Sequence, residues 1–273
     1  MAKKKIRWVI FLYLFFTAAA FLYGAVLIKK ACDYGEFDRG YSRKEIILRN
    51  GPARLVFNNG YVSVYYNGKQ FTEDCGLACF FSVKGVEYST YRSLWKIEKD
   101  TLSRLTIIFT WPDLPVKQKW DILLRDGKIK WDIGIESEAE ITINHIGLVF
   151  FLKNDYTEWL SPLGNGKMPV LDALQQRGYA GAGSGLSAAG LNVKRMAPGA
   201  FPAVGLKLGQ GVFMDEISLL SCRDMFSKNT FSSVSIGGVE PLRLPKGIHV
   251  ALSSGEMSMF DKQDDLRRYL SVK

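Results

Sequence analysis

Residues Lys117–Phe151 read KQKWDILLRDGKIKWDIGIESEAEITINHIGLVFF, with apolar side chains at every second position through most of their length. Trp120, Ile122 and Leu124 share one face before Asp126-Gly127, and Ile129, Trp131, Ile133 and Ile135 share one face after it. Asp-Gly between two alternating runs is a strong hairpin signal, because a type I′ turn requires φ > 0 at both central residues and Asp and Gly tolerate it. The stretch therefore predicts a sheet with one wet face and one buried face. A third run sets Ile141, Ile143, His145, Gly147, Val149 and Phe151 against Ile146, Leu148, Phe150 and Leu152. Apolar on both faces towards its end, it predicts a strand in the middle of a sheet that is covered on both sides.

Upstream, Asn58-Asn59-Gly60, Asn67-Gly68, Lys84-Gly85 and Lys99-Asp100 separate further short apolar runs, and the prolines in Trp111-Pro112-Asp113-Leu114-Pro115 end that series. Strands at about ten-residue spacing, with no helical pattern between them, predict an all-β fold, a large antiparallel sandwich, over residues 44–260. A Gly-rich excursion, residues 161–200, interrupts it, with one or two helical turns expected in PVLDALQQRG. Strands resume with FPAVGLKL, and the tail 261–273 places Leu266, Tyr269 and Leu270 at the spacing of a short helix.

The net charge of +9 is unevenly spread. Residues 1–30 hold six basic side chains and no acid, which leaves only +3 for the remainder. A basic stripe for phosphates is not indicated, so nucleic acid is not an expected partner. The basic residues instead flank Trp8–Ile28, an uncharged run of 21 residues that as a helix spans about 30 Å, one hydrocarbon core. Four basic residues precede it and two follow, so the positive-inside rule predicts a cytoplasmic N-terminus (1–7), a transmembrane signal-anchor (8–28), a stalk (29–43) and an extracytoplasmic domain. A cleaved signal peptide is the competing reading, with Ala18-Ala19-Ala20 as its small residues. The eight apolar residues beyond them favour the anchor.

Cys75 and Cys79, in EDCGLAC, are close enough in sequence to close a small disulfide loop, or they are thiols. A lone C-x3-C has no second pair, so no metal is expected. GYAGAGSGLSAAG lacks the glycine register and the Gly-Lys-Ser/Thr of nucleotide loops, and no cofactor is expected. Ser187 lacks the strand-to-helix turn of a nucleophile elbow. Glu136, Glu138 and Glu140 read as a solvated face.

The candidate ligand-binding residues are His145, Asp155, Tyr156, Glu158, Trp159 and Trp111. His145 serves a ligand if its side of the strand is a cleft, and is a satisfied core group if it is not. Two carboxylates beside two aromatics in NDYTEWLSP have the composition of a sugar site, where rings stack on pyranose faces and acids hold hydroxyls. No triad or paired-acid constellation appears, so no catalytic residue is assigned.

The pattern WDILLRDGKIKWDIGIESEAEITI, followed by a Tyr/Trp loop, a Gly-rich excursion and further strands, resembles the galactose-mutarotase-like supersandwich over about Lys44 to Phe260. That resemblance implies a carbohydrate-related role. The expectation is a single-pass envelope protein whose exterior domain binds a polysaccharide or oligosaccharide. The alternatives are a lyase, hydrolase or epimerase using His145 with an acid from the Asp155–Trp159 loop, and a scaffold that contacts other proteins.

Overall fold

A computed structural model of the chain describes residues 45–172, 174–181, 185–193, 200–224, 229–238 and 240–271. The segments 1–7, 8–28 and 29–43 read as N-terminus, membrane anchor and stalk lie outside the described residues. No helix among the described residues is long and apolar enough to cross a membrane.

Chain order begins with β1 (Ile46–Asn50), β2 (Ala53–Asn58), β3 (Tyr61–Tyr66), β4 (Lys69–Gln70), β5 (Thr72–Val83) and β6 (Val86–Ser89). A 3-10 turn, Thr90–Arg92, leads to β7 (Leu94–Asp100), β8 (Arg104–Trp111), β9 (Leu114–Arg125) and β10 (Lys128–Ser137). Then come β11 (Ile141–Ile143), β12 (His145–Leu152), β13 (Tyr156–Ser161), β14 (Gly164–Lys167), β15 (Arg177–Tyr179) and β16 (Ala188–Val193). The chain closes with β17 (Ala203–Leu208), β18 (Glu216–Arg223), β19 (Thr230–Gly237), β20 (Leu242–Leu244), β21 (Val250–Phe260) and the helix α1 (Gln263–Leu270).

The Asp126-Gly127 hairpin forms with φ of 54° and 69°, and pairs Leu124 with Ile129, Ile122 with Trp131 and Trp120 with Ile133, all buried. Asn59-Gly60, Asn67-Gly68 and Lys84-Gly85 turn with the same pair of positive φ values. Pro112-Asp113 does not end the series. It is the turn of another hairpin, β8 to β9, and the Pro115 carbonyl there accepts from Ser137 Oγ at 2.8 Å. The Lys99-Asp100 turn falls a little later, because β7 runs to Asp100.

Among the described residues ten strands form one sheet, with the path β1-β2-β3-β5-β12-β19-β18-β15 and with β4 on β3 and β6 on β5; nine form a second, β14-β13-β16-β17-β21-β10-β9-β8-β7, and β11 and β20 pair as a separate ribbon. Every described strand pair is antiparallel. Their inner faces share one core, joined across the gap by ring contacts such as Phe81–Trp111 (4.8 Å), Phe57–Phe109 (6.3 Å) and Trp131–Phe150 (5.4 Å). The fold is an all-β sandwich.

The Gly-rich excursion contributes β14, β15 and β16 and the end of β13. The helical turns expected in PVLDALQQRG do not form among its described residues. Asp172 Oδ1 instead accepts from the amides of Leu174 and Gln175, both at 2.9 Å, making a turn that competes with a helix.

α1 lies on the outer face of the nine-stranded sheet, where Leu266 and Leu270 pack with Leu160 and Ala203. It approaches closely because Gly190 and Gly205 lie beneath it: a Cβ on Gly190 would come within 2.8 Å of Leu266 Cδ1, and one on Gly205 within 2.7 Å of Tyr269.

Candidate functional site

The structure disperses the six residues that the sequence brought together. Trp111 is 1% exposed, with its ring edge on Phe81 and its indole N–H donated to the Ser89 carbonyl at 3.1 Å. Tyr156 is 2% exposed and donates to the Pro202 carbonyl at 3.1 Å, and burial pushes its hydroxyl well above the usual phenol range. Trp159 is 8% exposed and packs over Gly166. All three rings belong to the interior, and none has a free face for a sugar.

A register shift between Tyr156 and Glu158 lets Tyr156 and Trp159 both point inwards although they are three residues apart. Glu158 points to the other side, where its Oε2 accepts from Asn192 Nδ2 at 3.1 Å and Gln263 Nε2 at 3.5 Å, next to α1. Asp155 is exposed in the turn before β13. The aromatic and acidic composition of NDYTEWLSP is thus that of an amphipathic strand. His145 stands apart from all of these, exposed on the outer face of the ten-stranded sheet. Ile143 does not share its environment, because the chain breaks at Asn144 and β11 pairs with β20 instead.

The proposed Cys75–Cys79 bridge is also absent, and both are free thiols. They lie on one extended strand, β5, where four residues span about 13 Å, beyond the roughly 7 Å Cα limit of a disulfide. Gly76, at φ 48°, bulges the strand between them. Cys79 therefore faces the core, while Cys75 lies with Tyr91 on the outer side.

That outer side carries the feature that distinguishes the molecule. Five half-buried rings run across it in a chain: Tyr61–Tyr91 (6.0 Å between centroids), Tyr91–Phe80 (5.4 Å), Phe80–Phe151 (5.9 Å) and Phe151–Phe231 (5.6 Å). Each meets the next edge to face, an arrangement that adds about 0.5–1.5 kcal/mol per pair beyond buried area. Period-two alternation puts them there: Phe80 is opposite Gly147, and Val149 and Phe151 follow on the same face, while Leu148, Phe150 and Leu152 fill the core. Beyond the rings the face is lined by Ser235, Ser218 and Glu216, with Tyr179 and Arg177 on the edge strand β15. His145 sits opposite Ser82 at one end.

Burial first, and then the neighbouring Asp74, pushes the Tyr61 hydroxyl up, and burial drives the Cys75 thiol up to about 11. Both groups are neutral at physiological pH. His145 and Glu216 lie two strands and one row apart, about 12 Å between Cα atoms, so they flank the face without forming a hydrogen-bonded pair.

The outer face of the nine-stranded sheet is different in kind. Ion pairs cover its free half, among them Arg104–Asp121, Lys119–Glu98 (2.6 Å) and Lys128–Glu256 (3.2 Å), and α1 covers the rest. Two open clefts, of about 450 and 440 Å³, lie by Lys117, Glu138 and Lys246 and by Asn50, Tyr66 and Lys128, away from the rings. No group of three or more His, Cys, Asp or Glu side chains among the described residues could hold a metal ion.

Sequence reading missed Tyr61, Phe80, Tyr91 and Phe231. The signal was present in LACFFSV and GLVFF, where both strand faces are apolar, but alternation alone does not say which face looks outward.

No protein-family model and no characterised protein matches the sequence. Solved structures do match in three dimensions. A galactose mutarotase related enzyme from Lactobacillus acidophilus superposes with a TM-score of 0.57 at 8% identity, over 79% of this chain and 97% of that one. A putative aldose 1-epimerase from Escherichia coli gives 0.53 at 12%, over 80% and 98%. A GH36 α-galactosidase from Geobacillus stearothermophilus gives 0.51 at 11%, over 83% of this chain but 41% of the longer enzyme. At such identities the likeness speaks for architecture, and the fold of this chain is galactose-mutarotase-like.

Proposed function

We propose that this protein is a membrane-anchored, extracytoplasmic carbohydrate-binding or accessory protein of envelope or exopolysaccharide metabolism, and that it holds its glycan on the outer face of the ten-stranded sheet. The row of five rings carries the reading. Half-buried aromatics beside serines and a carboxylate supply what a sugar needs, apolar surface for its C–H faces and hydrogen-bonding groups for its hydroxyl rim. The structural neighbours are named as a galactose mutarotase related enzyme, a putative aldose 1-epimerase and an α-galactosidase, names that support the same class. The address rests on Trp8–Ile28 and its basic flanks.

Binding is favoured over catalysis by the placing of the two acids expected to work with His145: Glu158 points out of the other sheet beside α1, and Asp155 lies in the turn past the far end of β12 from His145. The full-length chain, solubilised in detergent, tests the reading on an array of neutral and acidic glycans. Binding that survives His145→Ala and falls at least tenfold with Phe151→Ala supports it. Retention of no glycan, or turnover abolished by His145→Ala, overturns it. Thiol or protease labelling of the C-terminus from the cytoplasmic side of intact cells would overturn the address.

A further inference from the structure

One row of residues crosses four neighbouring strands on the aromatic face: Phe80 on β5, Gly147 on β12, Gly237 on β19 and Glu216 on β18, each directly opposite the next. The two glycines in the middle are unusual because nothing among the described residues requires them. Neither has a positive φ. A Cβ on Gly147 would find its nearest neighbour at 3.6 Å and one on Gly237 at 3.7 Å, ordinary contact distances. Other strand glycines are explained by what lies on them: Gly190 and Gly205 carry α1, Gly166 carries Trp159 and Gly134 carries His249. Glycine within a strand is less stable than alanine, and it marks sites where a ligand or another backbone comes close.

Resting on the carbohydrate reading above, we propose that Gly147 and Gly237 are the floor of the sugar site, on which one neutral pyranose of the glycan lies flat between Phe80 and Glu216. From Phe80 to Glu216 the row measures about 14 Å between Cα atoms, three strand spacings, which leaves room for one ring between the two side chains. Bare backbone and the Phe80 ring receive the C–H face. The Glu216 carboxylate accepts from hydroxyls on the rim, and the Ser235 and Ser218 hydroxyls, one row down and half-buried, exchange hydrogen bonds with the same rim. A carboxylate at the end of the row repels a uronate and so selects a neutral sugar.

Alanine at the floor separates binding from folding, because a methyl group fits the protein but occupies the ligand's place. Full-length Gly147→Ala, Gly237→Ala and the double variant are compared with wild type by urea denaturation and by calorimetric titration. The titrant is whichever neutral gluco-, galacto- or manno-oligosaccharide the array selects, with uronate oligosaccharides alongside. The expected result is an unfolding midpoint unchanged or raised, with at least tenfold weaker binding in each single variant and no measurable uronate binding. A lowered midpoint overturns the premise that the fold leaves these positions open. Undiminished binding in the double variant, or a preference for uronates, overturns the floor while Phe151→Ala still reports on the carbohydrate reading. Failure of wild type to bind any glycan overturns both.

Discussion

The Gln118 side chain crosses the gap between the two sheets, its Nε2 donating to Cys79 Sγ at 3.3 Å and its Oε1 accepting from Trp120 Nε1 at 2.9 Å. Gln118 is fully buried, so its polar atoms have exchanged water for these partners. Gln118→Leu is expected to destabilise the domain by about 1–3 kcal/mol, the penalty of leaving a buried indole N–H unmade. Urea denaturation followed by tryptophan fluorescence measures it, and an unchanged midpoint would show that the network adds nothing.

The same geometry fixes thiol behaviour. Burial pushes Cys79 up to about 12 and Cys75 up to about 11, so both are protonated at pH 8 and poor nucleophiles. Cys79 is expected to resist alkylation in the native protein and to react readily in guanidinium. Peptide mapping without reductant is expected to find no Cys75–Cys79 crosslink; finding one would show that β5 is not continuous there.

The contact between α1 and the sheet depends on two missing side chains. Gly190→Val and Gly205→Val each force a branched group into Leu266, Leu270 or Tyr269, and overpacking of this kind costs about 1–3 kcal/mol. Equilibrium unfolding of the two variants checks this, with Gly147→Ala as the contrasting substitution that the fold accepts.

Helix docking also has a pH dependence. Burial alone would raise the Glu256 carboxyl, but hydrogen bonds from Tyr269 and Lys128, with the charges of Lys128 and Lys130, outweigh it and hold the group below its usual range. A carboxyl depressed in the folded state stabilises fully above its unfolded value of about 4.3 and loses that contribution as pH falls through the folded value. Because Glu256 is only partly buried, the contribution is expected below about 1 kcal/mol. Glu256→Gln should flatten the acid limb of the stability profile below about pH 4.3 and leave the neutral region little changed. An unaltered acid limb would rule out this linkage.

The sandwich was legible because hairpin chemistry and alternation are local. Asp126-Gly127 and Asn67-Gly68 state their turns outright, and Trp120, Ile122 and Leu124 state their face. The aromatic outer face was illegible for a different reason. Phe80 and Cys79 are adjacent in sequence and look alike in hydropathy, yet one points outward and the other into the core, and the Gly76 bulge that sets the phase leaves no mark on the pattern. Trp111, Tyr156 and Trp159 misled because an aromatic in a strand has the same signature whether a core or a sugar covers it. Only the satisfied donors of Trp111 and Tyr156 and the burial of all three rings decide the matter. His145 is exposed rather than a satisfied core group, because the break at Asn144 takes it out of phase with Ile143.

The most direct test of the central claim is a crystal structure of the chain with the oligosaccharide that binds it. Electron density for a sugar ring over Gly147 and Gly237, against Phe80 and within hydrogen-bonding distance of Glu216, is the predicted result. A glycan seated instead in the Tyr66–Lys128 cleft, or on the ion-paired face around Arg104 and Asp121, would contradict it.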